Sequence, residues 1–274
     1  MSSQAQRAAG FLALHESERP LLLPNPWDAG SATLLAAAGF KALATTSSGF
    51  AATLARLDGS VTRDEALAHG RAIARAVELP ISADLENGFA DEPSDVAETV
   101  RLAIDAGLAG CSIEDSSGRE DAPIYELGRA AERIAAAAEA AHSAGAQLVL
   151  TARAENYLHG RPDLEDTIAR LKAYEEAGAD VLYAPGLRAL SDIRELVTAL
   201  EHPVNVLALP GAPSVAELAE AGVRRVSVGG AFAFAALGAA VQAAEELSSA
   251  GTYGFWEQAR VGAKAAREAF ARVE

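Results

Sequence analysis

The chain contains the stretch Pro80-Ile81-Ser82-Ala83-Asp84-Leu85-Glu86-Asn87-Gly88-Phe89, in which an apolar run typical of a strand ends in two carboxylates and a glycine turn. Side chains alternate between the two faces of a strand, so Asp84 and Glu86 are predicted to point to one side and Leu85 to the other. Two adjacent carboxylates repel each other, and bound Mg²⁺ would relieve that repulsion because it prefers oxygen ligands. A solvated acidic loop is the alternative for this segment taken alone.

A similar organisation recurs along the chain. Five segments end in Ala-Gly before a short apolar run, and glycine is the usual left-handed residue just after a helix. Amphipathic helices are predicted before two of these glycines, one after Ser94 and one after Pro162-Asp163. The five pairs are Ala38-Gly39, Ala106-Gly107, Ala144-Gly145, Ala177-Gly178 and Ala221-Gly222.

Eight short apolar runs are predicted as strands, with helical segments between them. Strands that alternate with helices pair in parallel through crossovers, and eight such units fit an α/β fold of the (β/α)8 TIM-barrel type. A doubly wound open sheet is the alternative, weakened because no Gly-x-Gly-x-x-Gly motif follows the first strand. The predicted strands are 21–24, 41–45, 79–83, 109–113, 147–151, 181–183, 203–207 and 225–228.

Composition and charge limit the possible partners and location. The 274 residues are 50% apolar and carry a formal net charge of −15, which argues against nucleic-acid and anionic-membrane partners. The one cysteine, Cys111, excludes an intramolecular disulfide and favours a reducing, cytoplasmic location. No signal-like N-terminus and no apolar run of membrane-spanning length is found.

One domain is predicted for residues 1–274, because no linker divides the chain. The barrel core should occupy about 20–248, and two helices, about 231–249 and 253–273, should follow the eighth strand. The last helix carries several aromatic residues, which favours packing against a partner subunit, with packing inside the chain as the alternative. These residues are Tyr253, Phe255, Trp256 and Phe270.

The active site of such a barrel lies at the C-terminal ends of its strands. Those positions combine several acids, one arginine and small hydrogen-bonding residues, which suits a divalent cation with an anionic, oxygen-rich ligand. A structural salt bridge is the alternative role for Arg153, and a solvated loop position is the alternative for Glu114. In chain order the candidates are Ser48, Gly49, Phe50, Asp58, Asp84, Glu86, Glu114, Arg153 and Asn205.

Several chemistries are disfavoured by what these positions lack. No lysine is predicted at the C-terminal end of a strand, which argues against Schiff-base and pyridoxal enzymes. Only His159 of the five histidines follows a strand end, and no two histidines have metal-ligand spacing, so no zinc site is expected. Cys111 is predicted to be a core residue.

In their order and spacing these motifs resemble the isocitrate lyase/phosphoenolpyruvate mutase superfamily, from about Asn25 to Gly230. The resemblance rests on Ser48-Gly49, Asp58, Ala83-Asp84-x-Glu86-x-Gly88, Ile113-Glu114-Asp115, Ala152-Arg153-Ala154-Glu155, Ala173-Tyr174-x-x-Ala177-Gly178-Ala179-Asp180 and Pro203-x-Asn205.

The resemblance implies an α/β barrel, a homotetramer built as a dimer of helix-swapped dimers, Mg²⁺ or Mn²⁺ as cofactor, and 2-oxo acid ligands. By position, Asp84 and Glu86 would serve the metal, and Glu114 and Asp58 would lie in its water shell with catalytic roles. The remaining implied roles are substrate binding by Ser48, Gly49 and Phe50, a clamp on the oxo acid by Arg153, and a pocket-facing position for Asn205.

The loop after the fourth strand departs from the family pattern. The C–C lyases of the family carry Lys-(Lys/Arg)-Cys-Gly-His there, with the cysteine as general acid. Here the loop is 116–123, and it has no Cys, His or Lys. Three other positions also differ. The glutamate after strand six is replaced by Ala184-Pro185-Gly186, the aromatic clamp is replaced by Thr46, and the second acid of the metal pair is Glu86 where many members have Asp. The gating residues of this loop would be Ser116, Ser117, Gly118 and Arg119.

These observations together predict a Mg²⁺-dependent lyase that acts on a small 2-oxo or hydroxy dicarboxylic acid through a metal-stabilised enolate. C–C bond cleavage or oxaloacetate-decarboxylase-like chemistry fits best, because decarboxylation needs no dedicated base to form the enolate. P–C bond chemistry on phosphonopyruvate is one alternative. A 2-oxo acid-binding protein with little turnover is the other.

Overall fold

The structure, a computed structural model, describes residues 3–143 and 147–271. Eight parallel strands pair in the order β1-β8-β7-β6-β5-β4-β3-β2, which is the sheet of the predicted (β/α)8 barrel. The strands are β1 Leu21–Leu23, β2 Leu43–Ala44, β3 Ile81–Asp84, β4 Gly110–Glu114, β5 Val149–Arg153, β6 Val181–Tyr183, β7 Val204–Leu207 and β8 Arg225–Ser227.

The seam between β1 and β2 is bridged by hydrogen bonds at the strand ends. The Ala44 amide donates to the Pro24 carbonyl at 3.1 Å, and the Asn25 side chain donates to the Thr45 carbonyl at 2.9 Å. The Asn25 side-chain oxygen also accepts from the amides of Val228 and Gly229. One buried side chain therefore ties the first, second and eighth strands together, and the barrel is nearly closed.

Helices surround this barrel in the expected alternation. The helices are α1 Gln4–Ala13, α2 Ala29–Ala37, α3 Ser47–Thr53, α4 Arg63–Ala76, α5 Pro93–Asp105, α6 Leu127–Ala141, α7 Leu164–Glu176, α8 Leu190–Ala199, α9 Val215–Glu220, α10 Ala231–Ser249 and α11 Trp256–Phe270, with a 3₁₀ turn at Leu14–Glu16.

The predicted Ala-Gly pairs end helices as expected. Gly39, Gly107, Gly178 and Gly222 follow α2, α5, α7 and α9 with φ values of 95°, 85°, 99° and 85°, a region that side chains with a Cβ avoid. The fifth pair, Ala144-Gly145, lies outside the described residues.

Three strands extend further toward their C-terminal ends than the apolar pattern predicts. β3, β4 and β5 continue to Asp84, Glu114 and Arg153, where these charged side chains pair with one another between adjacent strands. β2 is shorter than predicted. Its pairing with β3 begins at Leu43, opposite Ile81, so Lys41 lies before the strand.

The two ends of the barrel differ in polarity. α1 covers the N-terminal end, where the fully buried ring of Phe11 packs against Gly110; a Cβ on that glycine would lie 2.7 Å from the ring. A small apolar cluster around Phe11, including Leu21, Val149 and Val181, fills this end. The polar, open end is the C-terminal one, where the predicted site residues lie.

Of the last two helices, α11 packs against α2 and α10 contacts α3, but neither helix is deeply buried. Ala233 is the buried residue of α10 and Ala269 that of α11, and both helices expose large apolar side chains. α11 begins later than predicted because Glu246 accepts hydrogen bonds from the amides of Gly254 and Phe255 and holds a turn there. The exposed apolar residues include Phe232, Phe234, Leu237, Val241, Leu247, Trp256 and Val261.

A search of the described residues for membrane-crossing helices gave none with the required length and apolar character.

Candidate active site at the C-terminal mouth of the barrel

Arg153, at the end of β5, lies at the centre of an ion-pair cluster. Its Nη1 donates to Asp84 Oδ1 at 3.0 Å and its Nε to Glu155 Oε1 at 2.9 Å, while its Nη2 forms an ion pair with Glu114 Oε2 at 3.0 Å. The three acids come from the ends of three adjacent strands. Every nitrogen of the guanidinium is thus engaged by a carboxylate, which is the salt-bridge role that the sequence left open for Arg153.

The acids around Arg153 exceed its single positive charge. Burial raises the pKa of Glu86 to about 7, and the nearby charges of Asp84 and Asp58 raise it further. Burial likewise raises the pKa of Glu114 and of Glu155, and Arg153 offsets this only in part. The cluster therefore holds excess negative charge that a cation would neutralise.

Asp84 and Glu86 do not project from one strand face, so the alternation argument was wrong for this pair. β3 ends at Asp84, and Glu86 adopts a φ of 48° within a tight turn that the Gly88 amide closes by donating to the Leu85 carbonyl. Asp84 consequently lines a central cavity, whereas Glu86 lines an outer one. Asp58 lines both cavities and lies between the two acids.

The central cavity occupies the barrel lumen above the apolar plug and has a volume of about 190 Å³. This exceeds the ~150 Å³ cavity that accommodates benzene, so a small organic acid fits. The predicted site residues along its wall are Ser48, Asp58, Asp84, Arg153 and Asn205. The outer cavity, of about 560 Å³, is lined by acids and by part of the loop after β4.

The segment after β2 contributes to the site unevenly. Thr46 caps α3, with its hydroxyl accepting from the Gly49 amide and lying 3.2 Å from the Ser48 hydroxyl, which lines the central cavity. Gly49 faces packed atoms, since a Cβ there would lie 2.6 Å from the Thr46 methyl group. Phe50 lines neither cavity and instead stacks on His69, with ring centroids 3.8 Å apart.

A divalent cation is compatible with this donor set. In the described ranges no three His, Cys, Asp or Glu side chains converge to form a complete protein cage for an ion. Mg²⁺ commonly binds through one or two carboxylates and keeps its remaining ligands as water. Asp84, with Glu86 and Glu114 close by, supplies oxygen donors of that kind, and burial followed by the charges of Asp84 and Asp58 raises the pKa of Glu86.

Asp115 and Tyr174, both in the family-like motifs, lie behind the site and support it. Asp115 Oδ1 accepts from the Glu155 amide at 2.8 Å, while Oδ2 accepts from the Tyr174 hydroxyl at 2.6 Å and from Arg170 at 3.0 Å. Asp115 is buried and lines neither cavity. The network fixes Glu155, which in turn holds Arg153.

The loop after β4 forms a compact turn at the rim of the outer cavity. The Ser117 amide donates to the Pro123 carbonyl at 2.9 Å, and Ser116 forms an isolated antiparallel β-bridge with Ile124. Ser116 and Gly118 line the outer cavity, while the Arg119 guanidinium lies over the Tyr125 ring at 5.5 Å. His159, the one histidine predicted to follow a strand end, has its Nε2 3.2 Å from the Ser116 hydroxyl.

Arg225 of β8 is a cavity residue that the sequence interpretation missed. It is buried, lines the central cavity and donates from Nε to Asn205 Oδ1 at 3.1 Å and from Nη2 to Thr151 Oγ1 at 3.0 Å. Asn205 also donates to the Ser227 hydroxyl at 3.0 Å. Strand alternation would have revealed Arg225, because it lies two residues before Ser227 on the same face.

Comparison with known proteins gives concordant matches. The model of the family described as phosphoenolpyruvate phosphomutase matches residues 11–248. A 2-methylisocitrate lyase of Bacillus subtilis is 30% identical, over 74% of this chain and 67% of its own. The solved structure of a Burkholderia cenocepacia J2315 protein provisionally assigned as a lyase or mutase is 53% identical, with a TM-score of 0.94 over 98% of this chain and 97% of that one. The solved structure of 2,3-dimethylmalate lyase is 27% identical in sequence, with a TM-score of 0.83 over 97% of this chain and 99% of the lyase chain.

Proposed function

Because this chain belongs to the phosphoenolpyruvate phosphomutase family, we propose that it is a metal-dependent lyase acting on a small 2-oxo or hydroxy dicarboxylic acid. The supporting observation is the Asp84–Arg153–Glu114 array at the mouth of a cavity large enough for such an acid. Two relatives with named reactions, 2-methylisocitrate lyase and 2,3-dimethylmalate lyase, are lyases. Cleavage of a C–C bond next to a carbonyl through an enolate is the chemistry proposed here.

Asp84 is the proposed metal ligand, with Glu86, Asp58 and Glu114 acting through water. The cation, Mg²⁺ or Mn²⁺, would supply positive charge opposite the oxygen that becomes negative in the enolate. Arg153 holds Asp84 and Glu114 in place, so the acids are preorganised before substrate arrives. Ser48 and Asn205 offer neutral hydrogen-bonding groups to the substrate from the cavity wall.

Oxaloacetate decarboxylation is the simplest reaction that this set of residues can support. The C3–C4 bond breaks, its electron pair forms the enolate of pyruvate, CO₂ leaves, and C3 then takes a proton. Forming the enolate in this way needs no general base. That requirement agrees with a loop, 116–123, that has no Cys, His or Lys.

P–C bond chemistry on phosphonopyruvate is the second candidate, favoured by the description of the matching family model. It differs in its products, since a mutase forms phosphoenolpyruvate and a hydrolase forms phosphate. A panel of oxaloacetate, isocitrate, methylisocitrate and phosphonopyruvate, each assayed with Mg²⁺, separates the two reactions. Calorimetric binding without consumption of any of the four would instead indicate a 2-oxo acid-binding protein.

Asp84→Ala tests the proposed metal role. Loss of the carboxylate should reduce Mg²⁺-dependent pyruvate release from oxaloacetate by at least about 100-fold, because the positive charge at the developing oxyanion is lost. Pyruvate is measured with lactate dehydrogenase, and the rate with Mg²⁺ alone is subtracted. Asp105→Ala, at an exposed position at the end of α5, is the matched control and should retain activity. Unchanged release by a folded Asp84→Ala protein would refute the proposal.

The loop with Ser116, Ser117, Gly118 and Arg119 is proposed to close over bound ligand. Its place on the rim of the outer cavity supports this role. Closure would exclude water from the acid cluster. Slower cleavage of this loop by a protease when Mg²⁺ and oxalate are added together would be the expected sign, and equal cleavage would contradict it.

A homotetramer built from helix-swapped dimers is proposed for the assembly. The exposed apolar side chains of α10 and α11 support it, because so much apolar surface on two adjacent helices is unusual for a monomer. Exchange of α10 between subunits would bury this surface.

A further inference from the structure

Arg225 lies within the barrel, below the ion-pair cluster. Its side chain is 3% exposed, and it lines the central cavity. Two of its three nitrogens donate to neutral groups, Nε to Asn205 and Nη2 to Thr151. The third, Nη1, is buried and has no hydrogen-bond partner among the described residues.

The surroundings of Arg225 contrast with those of Arg153. Arg153 is paired with three carboxylates, whereas no Asp or Glu in the described ranges forms an ion pair with Arg225. Burial lowers the pKa of Arg225 to about 10, so the guanidinium is still protonated at neutral pH. An unpaired buried charge costs several kcal/mol. The fold therefore retains a buried cation that a bound anion would stabilise.

The two arginines are separated along the barrel axis. Arg225 binds the Thr151 hydroxyl, and Arg153 lies two residues further along the same strand, a rise of about 6.6 Å. The cavity between these levels is lined by hydroxyl and amide groups such as Ser82, Ser227 and Asn205. A four- or five-carbon diacid can bridge that distance.

We propose that Arg225 forms a second anion subsite, on the floor of the central cavity, which takes the distal carboxylate of a diacid whose other end lies at the Asp84–Arg153 cluster. This inference rests on the proposed function and deepens it by naming the residue that selects diacids over monoacids. Arg225 is then a specificity-determining residue: Asn205 and Thr151 hold the plane of its guanidinium, and Nη1 binds the carboxylate after a small shift.

Binding of non-reacting acids measures this role without any turnover. Succinate and butyrate are titrated calorimetrically, with Mg²⁺ present, into the wild-type protein, Arg225→Met and Arg224→Met. Butyrate has the same carbon count as succinate and lacks the second carboxylate. Arg224 is the matched control, since it is the adjacent arginine and donates to the Ser17 carbonyl near the opposite end of the barrel.

The wild-type protein should prefer succinate over butyrate. Arg225→Met should weaken succinate binding by at least about 30-fold, because a hydrogen-bonded buried charge is lost. Butyrate binding should be unchanged. Arg224→Met should bind as the wild type does. Without ligand, Arg225→Met should melt at the same or a higher temperature, since an unpaired buried cation is removed. A structural arginine would give the reverse, a lower melting temperature and no selective loss of succinate.

Equal wild-type affinity for the two acids, or a succinate affinity that Arg225→Met leaves unchanged, would overturn the inference. If Arg225→Met does not fold, Arg225→Lys and Arg225→Gln replace it. Arg225→Lys should keep part of the preference for succinate. A folded Arg225→Gln that binds succinate as tightly as the wild type does would overturn the inference. Failure of the proposed function is seen separately, as Mg²⁺-dependent pyruvate release that Asp84→Ala does not alter.

Discussion

Individual buried charges inside this barrel have very different surroundings. Arg153 is surrounded by acids, Arg225 has only neutral partners, and His15 lies beneath the barrel against Phe11. The His15 Nδ1–H donates to the Phe11 carbonyl at 2.9 Å, and Nε2 is buried with no hydrogen-bond partner in residues 3–143 and 147–271. Burial, with a smaller effect of Arg225, lowers the pKa of His15 to about 4.

His15 should make stability depend on pH. The unfolded chain takes up a proton as the pH falls below 6.5, whereas the folded protein does not until about pH 4, so stability is lost progressively across that window. The loss should approach about 3 kcal/mol. The free energies of unfolding of the wild type and of His15→Leu are measured in urea above pH 6.5 and near pH 4. The loss equals the change, between these two pH values, in the difference between the two free energies. His159→Leu, at an exposed position, is the control and should parallel the wild type. Parallel curves for His15→Leu would contradict the prediction.

At the level of elements, local sequence sets where the helices end, and long-range pairing sets where the strands end. The helices α2, α5, α7 and α9 end at left-handed glycines that the Ala-Gly pattern marks. By contrast, β3, β4 and β5 continue into charged residues because the acids and Arg153 pair between these adjacent strands. Hydropathy alone could not indicate that extension.

Gly39→Ala should destabilise the protein by about 1 kcal/mol. A Cβ at position 39 would meet no atom within 4 Å, so the cost comes from the φ of 95° alone. Gly10→Ala is the matched control, because Gly10 lies within α1, also with free space, and should stabilise by about 0.5–1 kcal/mol. The two opposite shifts are measured by denaturant unfolding. Equal shifts would show that the conformation at Gly39 is not the cause.

For the whole molecule, the exposed apolar helices and the charged mouth of the barrel are the two dominant surfaces. The mouth combines acids with a polar cavity, which favours a small anionic ligand accompanied by a cation. α10 and α11 expose aromatic and aliphatic side chains that the barrel does not cover. The proposed assembly accounts for this exposure.

Val241→Glu should shift the protein to smaller species, because it would bury an unpaired charge in the proposed interface. Val241 is 56% exposed in the single chain, so the substitution should leave the barrel folded. Gln242→Glu introduces the same residue at the next, also exposed, position and should keep the wild-type mass. Light scattering coupled to size exclusion gives the masses. A wild-type protein that runs as a monomer would contradict the proposed tetramer.

The eight strands, the helices between them, the glycine helix ends and the buried Cys111 were predictable from the sequence, because hydrophobic periodicity and helix termination depend on neighbouring residues. The sequence also placed Ser48, Asp58, Asp84, Arg153 and Asn205 at one end of the barrel, since parallel strands bring their C-terminal ends together.

Only the tertiary structure decided how these residues contact one another. Three acids engage the nitrogens of Arg153, and Asp84 and Glu86 line different cavities. Phe50 stacks on His69, and Arg225 has no counter-ion among the residues that the structure describes. Arg153 and Arg225 meet partners that other segments bring into the barrel, whereas the separation of Asp84 from Glu86 depends on the turn after β3 and the Phe50–His69 stacking depends on the contact between α3 and α4. Local patterns specify which residues enter the barrel, whereas the closure of the sheet determines which charges meet.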